Sequence, residues 1–314
     1  MTTGKRFGIA GLLFVVGLGI SVMLQRGCGP SRFPGGAVGS KPLDQSALPQ
    51  RIVTMAPSVV ELLFALGAGD RVAAVGDWCF HPPEAKLLPR IGGEFNPSFE
   101  RIVTQKPDLL IVQGKAEKLE AFCRQNGVHI LHANTDTLAT LRSGVRELGH
   151  AVGREAEADR LVARIDLELA AVASRVAGRP RPKVFLCMGH SPGTLRSLAT
   201  AHGKSILSEL LAIAGGQNVF SDIELSYPPV SKEDLLLRAP DVIFDLHPGE
   251  LLSQAAQRQL VADWQAMDSL PAVRTGRIHV LTEDYLLVPG PRVPLVARRL
   301  AEALHPEAMG REVQ

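Results

Sequence analysis

Residues 155–178, EAEADRLVARIDLELAAVASRVAG, hold the reading of the whole chain. Leu161, Ile165, Leu169, Val172 and Val176 recur at spacings of four, four, three and four, which makes one apolar stripe on a 3.6-residue period. Arg160, Arg164, Glu168 and Arg175 fall on the other faces, and no proline or glycine interrupts the pattern. Gly178 and the run Pro180, Arg181, Pro182 then stop it, because glycine suits a left-handed cap and proline cannot extend the hydrogen-bond ladder. At 1.5 Å per residue the segment reaches about 36 Å, the width of a small domain. A helix that long, in mid-chain, is placed to join two lobes.

On both sides of it short apolar runs alternate with helical patterns. Before it come RIVTM (51–55), VVELLFAL (59–66), RVAAV (71–75), FERIVTQ (99–105), LLIVQ (109–113), AEKLEAFCRQN (116–126), VHILHA (128–133) and LATLRSGVRELGHAV (138–152). After it come KVFLCM (183–188), the helix GKSILSELLAIAG (203–215), the helix SKEDLLLRA (231–239), DVIFDL (241–246), a helix from about Gln254 to Met267, RIHVLT (277–282) and a final helix from Val293 to Leu304. This is the rhythm of β-α units on a parallel sheet. The expected architecture is α/β: two Rossmann-like lobes with mostly parallel sheets, at 51–153 and 180–306, joined by one long helix at 154–179, with a tail at 307–314.

The two halves also resemble each other. SFERIVTQKPDLLI (98–111) aligns without gaps on SKEDLLLRAPDVIF (231–244), with Ser98, Glu100, Pro107 and Asp108 matched by Ser231, Glu233, Pro240 and Asp241. A weaker match sets Glu61 and Gly67 against Glu209 and Gly215. Ser98 and Ser231 stand where an N-cap belongs, and Glu100 and Glu233 sit in the first turn, where a carboxylate complements the helix dipole. Helix stabilisation explains both glutamates. A second explanation is that two carboxylates, one per lobe, meet paired arginines on a partner.

With 314 residues, 46% hydrophobic and 21% charged, the chain has enough apolar content for two cores. Lys plus Arg is 34 against 32 acidic residues and no basic face is interleaved with aromatics, which argues against a nucleic-acid partner. At the N-terminus, Lys5 and Arg6 precede an apolar run from Phe7 to Leu24, the pattern of export. Residues 1–28 are read as a cleaved signal peptide or a retained anchor, with lipidation of Cys28 as a third route. All three put the remainder outside the cytoplasm, with 29–50, rich in Gly, Pro and Ser, as a flexible tether. Of the other cysteines, Cys187 is read as a buried small hydrophobe, while pairing of Cys79 with Cys123 stays open.

Gly189, Ser191 and Gly193 match G-x-S-x-G directly after a strand, with Asp241 or Asp245 and His279 downstream, the order of a hydrolase triad. In that elbow the residue after the serine donates its N–H to the oxyanion hole; here it is Pro192, which has none. A loop is the better reading, and no enzyme is expected. The sequence has no H-E-x-x-H, C-x-x-C, P-loop or G-x-G-x-x-G pattern, and neither a cofactor nor a metal site is expected. His81, His190 and His247 end strand-like runs, where α/β sites collect, and are candidate pocket residues. Trp78, Tyr227 and Tyr285 lie in proline-bearing loops, DWCFHPP, LSYPPVS and EDYLLVPGPR, and not on helical stripes. Opening onto one interlobe cleft, such loops make a flat, apolar ligand site.

With these segments in hand, the chain resembles the substrate-binding proteins of iron-chelate and vitamin B12 ABC transporters. RIVTMAPSVVELLFALGAGDRVAAVG, DWCFHPPEAKLLPRIGGEFNPSFERIVTQKPDLLIV, PPVSKEDLLLRAPDVIF and the late PGPR carry the resemblance, which covers about Arg51 to Leu304 and is nearest to the cobalamin-binding members. The resemblance implies a monomer with two lobes bridged by one helix, working with a permease and ATPase complex in the inner membrane. It implies that Glu100 and Glu233 dock onto permease arginines. His81 stands where cobalamin binders often have tyrosine before two prolines, Phe95 where an aromatic follows the glycines, and Tyr227 where tryptophan precedes proline; Tyr285 lies near a further pocket aromatic, ahead of Pro291 and Arg292. The expected ligand is cobalamin or another corrinoid, a metal chelate held by Trp78, His81, Phe95, His190, Tyr227, His247, Tyr285 and Arg292. Haem or a ferric siderophore is the alternative. One continuous helix between lobes predicts little movement on binding.

Overall fold

Both halves build the same four-stranded parallel sheet. A computed structural model describes residues 48–310, so that residues 1–28 with Cys28, most of the tether, and residues 311–314 lie outside the described residues. In the N-terminal lobe the elements are β1 (Ile52–Thr54), α1 (Pro57–Ala65), β2 (Val72–Val75), α2 (Phe99–Thr104), β3 (Leu109–Gln113), α3 (Glu117–Asn126), β4 (His129–Ala133) and α4 (Leu138–Ala151). Then comes α5 (Glu155–Val176). The C-terminal lobe has β5 (Lys183–Cys187), α6 (Ile206–Ile213), β6 (Gln217–Asn218), α7 (Lys232–Arg238), β7 (Val242–Leu246), α8 (Gln254–Asp263), α9 (Pro271–Arg274), β8 (Ile278–Leu281) and α10 (Val293–Leu304). The sheet orders are β2-β1-β3-β4 and β6-β5-β7-β8, the same permutation twice. Sequence periodicity does not show β6, because two polar residues with no alternation carry no signal.

The repeat is structural residue by residue. Ser98 and Ser231 cap α2 and α7, their hydroxyls accepting the Arg101 and Asp234 N–H groups. Each helix ends on a residue in the left-handed region, Lys106 (φ 48°) and Ala239 (φ 45°), directly before the Pro-Asp pair. The aspartates then pin the first strand of their own lobe: Asp108 accepts from the Arg51 N–H at 3.0 Å, and Asp241 from the Lys183 N–H at 2.9 Å. Of the four identical residues, serine and aspartate are explained by the fold. Glu100 and Glu233 are exposed, and their carboxylates take no hydrogen bond or ion pair among the described residues.

The apolar stripe of α5 is buried along its length, with Ala158 and Val162 added to the five expected positions. It packs on α4 of one lobe and on α6 and α10 of the other. One hydrophobic cluster consequently runs from Ile52, Leu63 and Leu109 through Leu161 to Val172 into Val184, Leu211 and Phe244. The lobes share a core through this helix, and two separate clusters fill the far faces of the two sheets.

Two glutamates cross between the lobes, and they are the pair in the weaker repeat. Glu61 of α1 is buried and holds Arg292, the residue before α10, through Nε at 2.8 Å and Nη2 at 2.5 Å. Glu209 of α6 accepts the Leu138 N–H at the start of α4 at 2.5 Å. In each lobe the glutamate of the first helix reaches the N-terminus of the other lobe's last helix, the end that favours a carboxylate.

Cys79 and Cys123 are free. They belong to different core clusters of the N-terminal lobe, so no disulfide joins them. Burial pushes their thiols up to about 12 and about 11.

Candidate functional site

In a parallel sheet with helical crossovers the loops after the strand C-termini converge on one end, the usual place for a ligand. All eight residues expected to hold ligand lie on such loops: Trp78, His81 and Phe95 after β2, His190 after β5, Tyr227 after β6, His247 after β7, and Tyr285 and Arg292 after β8. The interlobe bonds of Glu61 and Glu209 show these ends facing each other across the lobe boundary.

The structure separates the eight into two groups. Trp78 and Phe95 are exposed aromatics, Phe95 to 92%. The loop that carries Trp78 is fixed from beneath by Arg90, whose guanidinium donates to the carbonyls of Gly76 at 2.6 Å and Cys79 at 2.9 Å. Phe95 stands on a tight turn at Gly92 (φ 93°), where an added Cβ would meet the Asn96 carbonyl oxygen at 2.5 Å. His81 is half-buried.

Tyr227 projects from the opposite lobe. Its loop is stitched to the preceding one by the Thr200 N–H to the Pro228 carbonyl and the Val230 N–H to the Leu198 carbonyl. Its backbone is in the left-handed region at φ 49°, an arrangement that costs energy for an aromatic residue and that collects at ligand clamps. The side chain is 64% exposed. Its phenol pKa is nevertheless raised, by surrounding atoms and then by the charge of Asp136 of the N-terminal lobe. Tyr285 is half-buried, with the Arg292 guanidinium 5.5 Å from its ring centre.

His190, His247 and Arg292 are not available to a ligand in the expected way. Arg292 is committed to Glu61 and, through Nη1 at 2.8 Å, to Asp284, so it joins the lobes. His190 and His247 are buried inside the C-terminal lobe around Asp245. His190 Nδ1 lies 2.9 Å from one Asp245 oxygen, His247 Nε2 lies 3.0 Å from the other, and the Trp264 indole N–H donates to the same carboxylate at 3.0 Å. Burial works to raise the Asp245 carboxyl, but His190, His247 and Trp264 together outweigh it and hold it down to about 2. Burial likewise lowers His247, and Asp245 with Glu250 overcomes this to raise it.

Ser191 is exposed, and no hydrogen bond joins its hydroxyl to a histidine among the described residues. Two surface recesses, of about 470 and 390 Å³, lie elsewhere. One is lined by Arg181, Asp241 and Arg277 at the opposite strand ends, the other by Ala173, Arg179 and Ala212. Neither includes a residue of the expected ligand set.

A family model described as periplasmic binding protein matches residues 52–285. The chain belongs to the periplasmic binding protein family. A vitamin B12-binding protein of Vibrio cholerae serotype O1 is 30% identical over 245 residues, covering 77% of this chain and 84% of that protein. The crystal structure of the periplasmic vitamin B12 binding protein BtuF of Vibrio cholerae superposes with a TM-score of 0.68 at 27% identity, covering 84% of this chain and 99% of that one. A periplasmic heme binding protein from Pseudomonas aeruginosa superposes with a TM-score of 0.72 at 28% identity, covering 82% and 94%. The family accounts for the two lobes and makes this a solute-binding protein of the ABC-importer type, acting outside the cytoplasm. These relatives are named for the solutes they bind.

For a periplasmic binding protein, further residues at the cleft went unnoticed in the sequence. Phe80 is exposed beside Trp78, ring centres 6.3 Å apart and edge to face, with Arg90 over its other side at 5.6 Å. Glu94, next to Phe95, is an exposed residue whose carboxyl is raised by the atoms crowding it. Leu225 is exposed ahead of Tyr227. The available sign was composition: these apolar residues fall in loops that already hold the chain's scarce aromatics.

Proposed function

We propose that this protein captures a corrinoid, cobalamin or cobinamide, between its lobes and delivers it to an ABC permease. The observation that supports this most is the set of exposed aromatics on the strand-end loops of both lobes. Trp78, Phe80 and Phe95 stand on one side and Tyr227, held in a strained backbone, on the other. Flat apolar surfaces with few polar groups suit a broad macrocycle, which gains from area and stacking more than from hydrogen bonds. Of the cationic and imidazole groups, Arg292 is paired with Glu61, His190 and His247 are buried, and His81 is neither paired among the described residues nor fully buried. Recognition therefore rests on the aromatic loops.

Glu100 and Glu233 are the docking contacts in this reading. Each is exposed, unpaired and followed one turn later by exposed apolar residues, Val103 in one lobe and Leu236 and Leu237 in the other. An acid beside an apolar patch, repeated once per lobe, fits a partner that presents two arginines. The shared core through α5 fixes the distance between them.

Haem is the second reading. The Tyr227 hydroxyl and the His81 ring have no hydrogen-bond partner among the described residues, and both are competent iron ligands. Titration of the full-length chain with cyanocobalamin, cobinamide and haem, by calorimetry and absorbance, separates the two. Tight one-to-one corrinoid binding that Trp78→Ala weakens about tenfold or more supports the first reading. Haem binding with an iron–tyrosinate spectrum that Tyr227→Phe removes replaces it with the second.

A further inference from the structure

We infer that the C-terminal lobe holds a site for a divalent transition-metal ion of the zinc class, ligated by Cys187 Sγ, His190 Nδ1 and the Asp245 carboxylate. Cys187 and Asp245 are partners on the adjacent parallel strands β5 and β7, so their side chains share one face of the sheet. His190 is returned over that pair by Gly189 (φ 87°), where an added Cβ would stand 2.9 Å from the Leu246 carbonyl oxygen. The three ligand atoms lie within 4.8 Å of one another, and all three residues are buried. One ion at about 2.0–2.3 Å from each draws them together with little rearrangement.

The state of His190 points to an ion over a plain ion pair. Its side chain is fully withdrawn from solvent, with carboxylate oxygens of Asp245 and Asp263 at 2.9 and 3.3 Å. Even so, neither ring nitrogen forms an aligned hydrogen bond. A buried imidazole in that condition is rare unless something else takes its lone pair. The surroundings also have the form of a metal-site support. Nε2 faces Asp263, which the Gly193 N–H at 2.6 Å and the Gln259 amide at 2.7 Å hold in place. Trp264 and His247 bond to the two Asp245 oxygens in the same manner. Histidine ligands are oriented by such carboxylates.

Charge gives the same answer. A thiolate, a carboxylate and a neutral imidazole sum to minus two, so a divalent ion leaves the buried site neutral. Binding transfers the Cys187 thiol proton to solvent and forms the metal–sulfur bond, one proton released per ion. The fold itself does not ask for these residues: Met55 and Val112, at the matching tips of β1 and β3, are both buried and apolar.

The site is independent of the ligand reading, and its test needs no corrinoid. The full-length chain, stripped with a chelator, is titrated with cobalt(II) as a spectroscopic probe and then with zinc. One equivalent of cobalt is expected to give a thiolate-to-cobalt charge-transfer band with release of one proton, and zinc to displace it. The band should vanish in Cys187→Ser and persist when Cys28, Cys79 or Cys123 is replaced by serine. Asp263→Asn, which keeps all three ligands, should weaken cobalt binding about 10–100-fold. Failure of the wild type to take up either ion at micromolar concentration overturns the proposal, as does a band that survives Cys187→Ser. If Cys187→Ser does not fold, the wild-type titration and Asp263→Asn decide it.

Discussion

The two lobes share strand order, caps, left-handed helix ends and aspartate pins, yet differ at matched positions along the strands. Where the N-terminal lobe has Met55, Val112 and Leu131, the corresponding register positions of the C-terminal lobe carry Cys187, Asp245 and His279. The N-terminal version shows that an apolar layer satisfies this fold. Polar groups at the same places in the other lobe are therefore additions, tolerated because Asp245, His190, His247 and Trp264 answer one another.

Converting one lobe to the other at its most polar point should give the largest effect. Asp245→Val leaves His247 and the Trp264 indole N–H buried without their acceptor and His190 without its nearer carboxylate, and removing one partner of a buried charged set costs about 3–5 kcal/mol. Urea unfolding of the metal-free protein checks this. A loss under about 1 kcal/mol would mean the cluster is no more than spacing, and the contrast between the lobes would lose its meaning.

The crossing glutamates come next, and they sharpen the comparison because their symmetry is imperfect. Glu61 makes a two-point contact with a guanidinium, whereas Glu209 accepts from one backbone N–H. Glu61→Ala should cost about 3 kcal/mol, softened by the Asp284 contact that Arg292 keeps, and Glu209→Ala about 1.5 kcal/mol. Equal losses by denaturant midpoint would show that the helix N-terminus of α4 matches the arginine in strength.

Much of this was legible before any coordinates. The stripe from Leu161 to Val176 states its period, and the match of 98–111 to 231–244 names the caps and pins of both lobes. Glu61 and Arg292 stand 231 residues apart, and nothing local in either segment marks them as partners. The metal cluster left a trace, C-x-x-H at 187–190 and D-x-H at 245–247. It was unreadable because each motif is too short alone and they meet only if β5 and β7 are neighbours. His190 and His247 are expected at the cleft from sequence because a strand end locates a residue along the sheet but not whether its side chain points inward.

His279 offers a smaller effect with a definite sign. Burial first, then Arg299 and Arg277, lower its imidazole to about 4, and its Nε2 has no partner. A depressed folded value means the folded state holds fewer protons than the unfolded chain between pH 6.5 and about 4. Stability is thus intact above pH 6.5 and falls as pH drops through that window, by about 1–3 kcal/mol. His279→Leu, which installs the residue type of the N-terminal lobe, should flatten this part of the stability–pH profile. An unchanged slope would assign the acid sensitivity to other groups.

The smallest expected change in stability is at Glu100 and Glu233, and the comparison turns there from difference to identity. Serine and aspartate of the repeat each do a measurable structural task in both lobes, so Ser98→Ala and Ser231→Ala should each cost about 1 kcal/mol. The glutamates are as faithfully repeated, yet they bond to nothing among the described residues and gain only the dipole of a short helix. Replacing both by alanine should shift stability by about 0.5 kcal/mol or less and leave corrinoid affinity unchanged. Uptake by cells that depend on this protein should nevertheless collapse, and Glu100→Gln with Glu233→Gln, which keeps shape and removes charge, should fail equally. If the double alanine variant transports normally, the repeat of the glutamates reduces to helix capping. If it loses ligand affinity instead, these residues serve the cleft and not a docking surface.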